Sequence, residues 1–355
     1  MTEDTLFPWL SASLDRLLEQ RDRLAHAYLR AGQPGLGKAT FAVHFARAML
    51  CNQPTPLACG TCHSCHLFDT GSHPDLHVLQ SDKYRQENPG LLAEYAARYP
   101  KPDGHKSKKP SAIIAIDQVR NVLPDINTRP LMAANRLIIL HPAEDLFVNA
   151  ANSLLKALEE PPSDTYFLLI SHDPGRLLPT LRSRCNRIDF RLPEMAVSER
   201  WLSEQIDDPS TARMLLEKAH GVPLHALNLA NGKSGDGEEQ LAKLLAGLSD
   251  GELNPVVAAA GLLKDKNIEL KEHLVMMQRL ISSMIRNRAS GQDATSHLHV
   301  IANRLNSKVL FGYLDNINAA VRQANAPLDN GLVLEDLLAR WQELTVSRHD
   351  QRKTG

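Results

Sequence analysis

The segment AYLRAGQPGLGKATFAVHFARAML, residues 27–50, decides the fold class of this sequence. It begins with the apolar run Ala27–Leu29, passes through a glycine-rich turn and continues from Ala39 to Leu50 with apolar residues at helical spacing. Gly32, Gly37 and Lys38 match the first part of the phosphate-binding signature G-x4-G-K-S/T. The glycines let backbone N–H groups turn toward phosphate oxygens, and the lysine neutralises their charge. A strand, a glycine-rich loop and a helix in this order predict an α/β fold of the phosphate-loop type.

The signature is incomplete at the position that would bind a magnesium ion. Ala39 stands where a serine or threonine hydroxyl is expected, and Thr40 follows one position later on a different face of the helix. We therefore interpret Gly32, Gly37, Lys38 and Thr40 as a vestigial nucleotide-binding set. Binding of a nucleotide through Lys38 alone stays open.

The acidic residues that would complete a magnesium site are also missing. They are expected after a buried strand, but the apolar run in LIILHPAE, residues 137–144, is followed by His141-Pro142. Proline cannot ligate Mg²⁺, histidine is a poor ligand for a hard cation, and we expect Glu144 not to reach the site. Because phosphoryl transfer depends on such groups, the sequence predicts a chain that does not hydrolyse ATP and holds no ATP–Mg²⁺ of its own.

The rest of the chain falls into parts with different patterns. Apolar runs alternate with helical segments over residues 1–192, which predicts a covered, mostly parallel sheet. Beyond Pro193 only amphipathic helices are predicted, and a polar stretch at residues 231–237 indicates a linker.

Residues 81–110 interrupt the α/β pattern. They contain five lysines and four prolines around a short helical centre at Leu91–Arg98, and we expect them to form a mobile insertion. Within it, Lys106, Lys108 and Lys109 either contact DNA or belong to an ordinary solvated loop.

The composition restricts the class of protein. The 355 residues include 40 Lys and Arg against 41 Asp and Glu, so the surface as a whole is not suited to wrapping nucleic acid. Aromatic residues make up only 5%, which favours a helix-rich chain over an all-β one. No apolar run approaches the roughly 20 residues of a membrane span, and the first residues lack a secretory signal pattern. We expect a cytoplasmic protein without membrane contact.

Four cysteines form the strongest metal signal in the chain, with the spacing Cys51-x7-Cys59-x2-Cys62-x2-Cys65. Four thiolates at about 2.3 Å suit tetrahedral Zn²⁺ and leave no position for water, so the pattern predicts a structural zinc knuckle over residues 51–65. Gly60 permits the tight turn that the knuckle needs. His63 and His66 could each replace a cysteine, but the all-cysteine set is favoured.

The order of these motifs resembles one family. A degenerate phosphate loop and a four-cysteine knuckle are followed by LLKALEEPP at residues 154–162, by FLLISHDPGRLLPTLRSRC at residues 167–185, and then by helices only. This is similar to the δ′ subunits of the bacterial DNA polymerase III clamp loader, which belong to the AAA+ group. The phosphate loop alone is a weak signal, whereas LEEPP, SRC and the knuckle together are specific.

The resemblance implies an architecture and a role. The architecture is an α/β AAA+ domain with a zinc knuckle at residues 1–192, an all-α lid at 193–233 and an all-α C-terminal collar at 234–355. The role is that of a stator bound between δ and an ATP-hydrolysing γ/τ subunit, in an assembly that loads the sliding clamp onto primed DNA. Such a subunit has no activity of its own, although the holoenzyme is a DNA-directed DNA polymerase and thus a nucleotidyltransferase.

The resemblance also implies a site residue. In this family the SRC triplet, here Ser183-Arg184-Cys185, supplies an arginine finger in trans to the ATP site of the neighbouring subunit. ATP-hydrolysing relatives carry G-S-x-R in the lid, whereas this chain has Gly221-Val222-Pro223-Leu224, so the sensor arginine is missing as well. A chain that keeps the trans arginine and lacks the cis elements fits a non-hydrolysing neighbour.

Other functions stay open at this point. The chain could be a γ/τ-like ATPase with unusual metal ligation, against which Ala39, His141-Pro142 and Leu224 argue. The knuckle could be a DNA-binding zinc ribbon, against which the lack of basic and aromatic residues between its cysteines argues. Arg184 could also be an ordinary surface arginine at a helix end.

Overall fold

The structure is a computed structural model that describes residues 5–55, 57–100, 110–232, 236–264, 269–290, 301, 305–324 and 329–346. The chain forms two compact units, residues 1–227 and residues 228–355. No helix within the described ranges is both long enough and apolar enough to cross a membrane.

One parallel sheet organises the first unit. Its strands are β1 Ala27–Ala31, β2 Leu76–Leu79, β3 Arg136–Leu140, β4 Thr165–Ser171 and β5 Asn186–Asp189. Over the described residues they pair in the order β2-β3-β4-β1-β5, and all four pairings are parallel. Every residue of β1, β2 and β3 is buried, as expected of parallel strands that are covered on both faces. The predicted parallel sheet is therefore confirmed.

Helices connect and cover the strands. Those of the α/β part are α1 Pro8–Glu19, α2 Lys38–Leu50, α3 His63–Asp69, α4 Asp82–Glu87, α5 Leu91–Ala96, α6 Ile116–Ile126, α7 Val148–Glu159 and α8 Pro179–Arg182. They are followed by α9 Met195–Ser203, α10 Ala212–Lys218 and α11 Pro223–Ala230. Alternate residues of β1, β3 and β4, such as Leu29, Ile138 and Phe167, pack in one core with α6 and α7.

The segment at residues 81–110, where a mobile insertion with a helical centre at Leu91–Arg98 is predicted, contains regular structure over residues 82–99, and its mobility stays a prediction. This stretch contains α4 and α5, and Leu92 and Tyr95 are buried. The Tyr95 hydroxyl accepts from the backbone N–H of His73 and donates to the carbonyl of Phe68, which ties α5 to the segment before β2. Apolar residues at helical spacing therefore outweigh the polar composition. Lys106, Lys108 and Lys109 lie outside the described residues.

Outside the sheet, Ile114 forms a single parallel bridge with Leu146. The expected linker at residues 231–237 is shorter, because α12 begins at Asp236; Asn231 and Gly232 form a turn, and residues 233–235 lie outside the described ranges.

The regular elements of the second unit within its described residues are all helices, as predicted. Its helices are α12 Asp236–Ser249, α13 Pro255–Leu262, α14 Leu270–Ser290, α15 Ser307–Gln323 and α16 Asn330–Val346. Trp341 is fully buried at its centre and donates its indole N–H to the carbonyl of Leu245, while the Tyr313 hydroxyl donates to the carbonyl of Leu337. The boundaries at 192/193 and 233/234 stay predictions, since the first unit extends to residue 227.

A buried ion pair fastens the start of β2 to the start of β3. Asp75 and Arg136 are both at most 1% exposed, and an Arg136 Nη2 donates to Asp75 Oδ1 at 3.4 Å. The same carboxylate accepts the backbone N–H groups of Leu131, Met132 and Ala133 at 2.6–2.9 Å. Asp75 thus compensates the buried guanidinium and fixes the loop that leads into β3.

We expect Asp75→Ala to lower the free energy of unfolding of the first unit by about 3–5 kcal/mol, because it leaves Arg136 buried without a counter-charge. Asp117→Ala is the matched control, since Asp117 and Arg120 form an exposed pair at 3.7 Å and should contribute at most about 1 kcal/mol. Urea denaturation of both variants measures the difference. Equal losses would contradict the structural role of Asp75.

The effect of Asp75 should also depend on pH. Burial by itself raises the pKa of Asp75, but the three N–H groups and Arg136 outweigh it and hold the pKa below its usual range. The stability that this carboxylate contributes is therefore complete above about pH 4, the ordinary pKa, and is lost as the pH falls through the lower folded-state value. We expect the difference between wild type and Asp75→Ala to shrink across that range.

Candidate functional site

The phosphate loop joins β1 to α2 in the position that the sequence predicts. Gly35 and Gly37 have φ angles of 83° and 81°, a left-handed conformation that favours glycine. Gly32 extends the pairing of β1 by donating its N–H to the carbonyl of Ser171 at 3.2 Å. Thr40 lies in the first turn of α2 and is buried. The structure therefore brings the four residues of the vestigial set together.

The side chain of Lys38 contacts the backbone of the phosphate loop itself. Its side chain is 3% exposed, and Nζ donates to the carbonyl oxygens of Gly32 at 2.5 Å and Gln33 at 2.6 Å. Burial lowers the pKa of Lys38 to about 7, although the nearby Glu144 carboxylate acts in the opposite direction. The ammonium group that would meet a phosphate is thus engaged by backbone oxygens of the loop.

Apolar side chains from the same unit pack closely against the phosphate loop. A Cβ atom at Gly37 would lie 2.4 Å from the ring of Phe7, and one at Gly35 would lie 2.6 Å from a methyl of Val222. The Leu224 N–H also donates to the carbonyl of Gly35 at 3.4 Å. The segment Gly221-Val222-Pro223-Leu224, which lacks the sensor arginine, therefore contacts the loop with apolar groups.

Three aromatic rings, Phe7, Trp9 and Trp201, form a cluster next to the loop. Phe7 and Trp9 are stacked with ring centroids 4.9 Å apart, and Trp201 of α9 meets both edge-on. The Trp9 indole N–H donates to the carbonyl of Leu36 in the loop at 3.0 Å. Because they lie beside the phosphate loop, these rings are functional candidates, and the sequence analysis missed them. The signal that could have indicated them is the aromatic pair in LFPWL, residues 6–10.

The end of β3 carries no acidic residue in the expected place. His141 is buried, which lowers its pKa to about 3, and its Nε2 lies 3.2 Å from the Tyr84 hydroxyl. Glu144 was not expected to reach the site, yet it lies close enough to Lys38 to act on its pKa. Its Oε1 accepts the backbone N–H groups of His172 and Asp173 at 2.9 and 3.3 Å. Glu144 therefore ties the end of β4 to the segment after β3.

The four predicted cysteines come together after α2. Cys51 follows α2, Cys62 caps α3, and Cys65 lies in the first turn of α3. Their Sγ atoms all lie within 4.8 Å of one another, with pair distances of 3.5 Å for Cys51–Cys59 and 3.9 Å for Cys59–Cys65. Tetrahedral Zn²⁺ with sulfur at about 2.3 Å requires sulfur–sulfur distances of about 3.8 Å. The cluster can therefore hold such a metal ion, and among the described residues the set consists of cysteines, without His63 or His66.

Backbone donors point at the sulfur atoms. The N–H groups of Cys59, Cys62 and Cys65 donate to the Sγ atoms of Cys51, Cys59 and Cys62 at 3.3, 3.3 and 3.5 Å. The backbone N–H groups of Thr61 and Cys62 lower the pKa of Cys59 to about 6. Gly60 has a φ of 72°, as its predicted role in the turn requires. The donors to Cys59 favour the thiolate form that metal binding needs, whereas burial raises the pKa of Cys51 and of Cys65.

Arg184 lies two residues beyond α8, between that helix and β5. Its side chain is 31% exposed, and its partners are Glu159, Thr180 and Ser183, none of which belongs to the phosphate loop. The neighbouring Cys185 is partly buried, and burial raises its pKa to about 11, as expected of a packed thiol. The structure thus keeps Arg184 partly exposed, with its hydrogen bonds outside the phosphate loop.

Comparison with known proteins gives the following similarities. Among solved structures, a DNA polymerase III gamma subunit-related protein from Thermotoga maritima aligns with 94% of this chain and 99% of its own, at 20% identity and a TM-score of 0.38. A family model described as "DNA polymerase III, delta subunit" matches residues 10–194, which is more than half of the chain.

Two curated relatives are both DNA polymerase III delta′ subunits. The DNA polymerase III subunit delta′ of Pseudomonas aeruginosa is 37% identical over 266 residues, which is 74% of this chain and 71% of the relative. The DNA polymerase III subunit delta′ of Escherichia coli is 31% identical over 244 residues, which is 68% of this chain and 65% of the relative. This chain belongs to the family of DNA polymerase III delta′ subunits.

Proposed function

We propose that this chain is a non-hydrolysing subunit of the DNA polymerase III clamp loader, and that it supplies Arg184 to the ATP site of a neighbouring subunit. One contrast within the chain carries the proposal. In its own phosphate loop, Lys38 donates to backbone carbonyls of the loop, and Phe7 and Val222 pack closely against the glycines. Arg184, by contrast, lies at the surface. The contacts of Lys38, Phe7 and Val222 support a phosphate loop that serves no nucleotide, and the partial exposure of Arg184 supports a role toward another subunit.

The chemistry of phosphoryl transfer explains why an arginine is useful there. Negative charge on the transferring phosphoryl group is spread over its oxygens, and a guanidinium that arrives from another subunit neutralises it. The planar fork of arginine matches two phosphate oxygens at once. Since Arg184 has no partner in its own phosphate loop, a neighbour's phosphate is the natural target.

The remaining parts follow from this role. The chain would act as the stator in the cytoplasm, with γ/τ and δ as direct partners and with the clamp and primed DNA reached through the assembly. The helical unit at residues 228–355 would serve as the collar that holds subunits together. The ion at Cys51, Cys59, Cys62 and Cys65 would be structural Zn²⁺, because four thiolates leave no open position for catalysis.

Complex formation tests the assignment. The chain is mixed with the γ/τ and δ subunits of its own cell, and the mass of the product is measured by native mass spectrometry, with each pair of subunits as a control. We expect a hetero-complex that contains this chain. A chain that stays alone in every mixture would contradict the proposal.

The isolated chain is expected to show no ATPase activity above background. Ala39 and His141 leave Mg²⁺ without its usual ligands, and Lys38 donates to its own loop. A coupled ATPase assay with the γ/τ subunit as a positive control makes the measurement. Turnover by the isolated chain that disappears in Lys38→Ala would instead support the γ/τ-like alternative.

A further inference from the structure

We propose that Glu159 is a positioning residue for Arg184: it holds one edge of the guanidinium so that the other edge is presented to a neighbouring subunit's phosphate. The inference rests on the proposed trans role of Arg184 and deepens it. Glu159 is the last residue of α7, directly before Glu160 and the Pro161-Pro162 pair. Neither the phosphate loop nor the knuckle explains why a carboxylate lies at this place.

The contacts of Arg184 occupy two sides of its guanidinium group. Nε donates to Glu159 Oε1 at 2.7 Å, and Nη2 donates to the same oxygen. Nη1 donates to the backbone carbonyl of Thr180 at 2.8 Å. Nη1 also donates to the Ser183 hydroxyl in a longer hydrogen bond of 3.4 Å. The orientation of the group is therefore fixed from α7 on one side and from α8 on the other.

Counting the N–H groups of the Arg184 guanidinium shows which of them a ligand could still bind. A guanidinium has five N–H groups in a planar fork. Glu159 takes the one on Nε and one on Nη2, and Thr180 takes one on Nη1. One N–H on Nη2 has no acceptor among these contacts, and the second N–H on Nη1 meets only the Ser183 hydroxyl at 3.4 Å. These two N–H groups are the donors that remain for phosphate oxygens.

The pair is better suited to orientation than to stability. Glu159 and Arg184 are 48% and 31% exposed, and ion pairs of this exposure contribute little to the free energy of folding. A free arginine side chain, by contrast, must lose much rotamer freedom when it binds. Because Glu159 already orders the Arg184 side chain, part of this rotamer freedom is lost before a phosphate binds. Preorganised donors of this kind stabilise a transition state without reorganisation.

A double-mutant cycle in the reconstituted clamp loader tests the inference. Steady-state ATPase is measured with clamp and primed DNA for wild type, Glu159→Ala, Arg184→Ala and the double variant. We expect Glu159→Ala to lower kcat about three- to tenfold, as misplacement of a catalytic group does, with KM for ATP unchanged. In the Arg184→Ala background the same substitution should have no further effect, because Glu159 acts through Arg184. Glu159→Gln, which keeps one acceptor oxygen, should recover part of the rate.

Glu160→Ala is the matched control, since it removes the adjacent exposed carboxylate and should leave the rate unchanged. A wild-type rate for Glu159→Ala beside a reduced rate for Arg184→Ala would overturn the positioning role alone. A faster rate for Glu159→Ala would also overturn it, because Glu159 would then compete with the phosphate. A wild-type rate for Arg184→Ala would instead overturn the proposed function. Gel filtration of each complex shows that the subunits remain assembled.

Discussion

Arg184→Ala is expected to lower the clamp-stimulated and DNA-stimulated ATP turnover of the assembled complex while leaving the chain folded and the complex intact. Removal of an arginine that acts in trans costs on the order of 10³ or more in rate at the site it serves. An assembly with several ATP sites will dilute that loss in the total turnover. Folding should not change, because the side chain is partly exposed and pairs with the exposed Glu159.

Arg184→Lys should restore the rate only in part. An ammonium group carries the charge but lacks the planar fork that contacts Glu159 and a phosphate at the same time. Arg187→Ala is the matched control, because Arg187 is another exposed arginine nearby and pairs locally with Asp189 at 2.7 Å. Steady-state ATPase with equal complex formation is the measurement. Equal rates for Arg184→Ala and Arg187→Ala would show that Arg184 is an ordinary surface residue.

Cys62→Ser is expected to release the metal and destabilise the first unit. Cys62 supplies one of the four sulfurs and also caps α3 by accepting the N–H of Cys65. Structural zinc stabilises small zinc domains by about 10–16 kcal/mol in apparent terms, so its loss should exceed the effect of a single core substitution. The wild-type chain should contain about one Zn²⁺, and the variant well below that.

Elemental analysis and thermal melting with and without a chelator measure the two effects. Cys185→Ser is the matched control, since Cys185 lies outside the cluster and should leave the metal content unchanged. Freshly purified, reduced wild-type protein that contains no zinc and melts at the same temperature with a chelator would contradict the zinc assignment.

Local patterns in the sequence were sufficient for the parts of the fold that depend on neighbouring residues. The glycines and lysine of residues 32–38 predict the loop, because a left-handed turn requires glycine at particular positions. The spacing from Cys51 to Cys65 predicts the cluster, because a knuckle brings nearby sulfurs together. The short apolar runs that alternate with helical segments predict the parallel strands.

Contacts between distant residues could not be predicted in this way. Phe7 and Trp201 meet beside the phosphate loop although 194 positions separate them, and no local pattern reports such a pairing. Glu159 ends α7 and Arg184, 25 positions later, lies just beyond α8, so that only the packing of the two helices brings them together. Within residues 82–99 the polar composition indicates a mobile segment, whereas the predicted helical centre agrees with α5, in which Leu92 and Tyr95 are buried.

The central claim is that the phosphate loop of this chain is closed and not functional, whereas the accessible Arg184 acts on the ATP site of a neighbouring subunit. It is tested most directly by the steady-state ATPase of the reconstituted clamp loader with clamp and primed DNA, comparing Lys38→Ala with Arg184→Ala. Thermal melting of both chains establishes that they are folded. We predict turnover close to wild type for Lys38→Ala and a clear loss for Arg184→Ala. A loss for folded Lys38→Ala together with a wild-type rate for Arg184→Ala would contradict the claim, because the phosphate loop of this chain would then be the functional site.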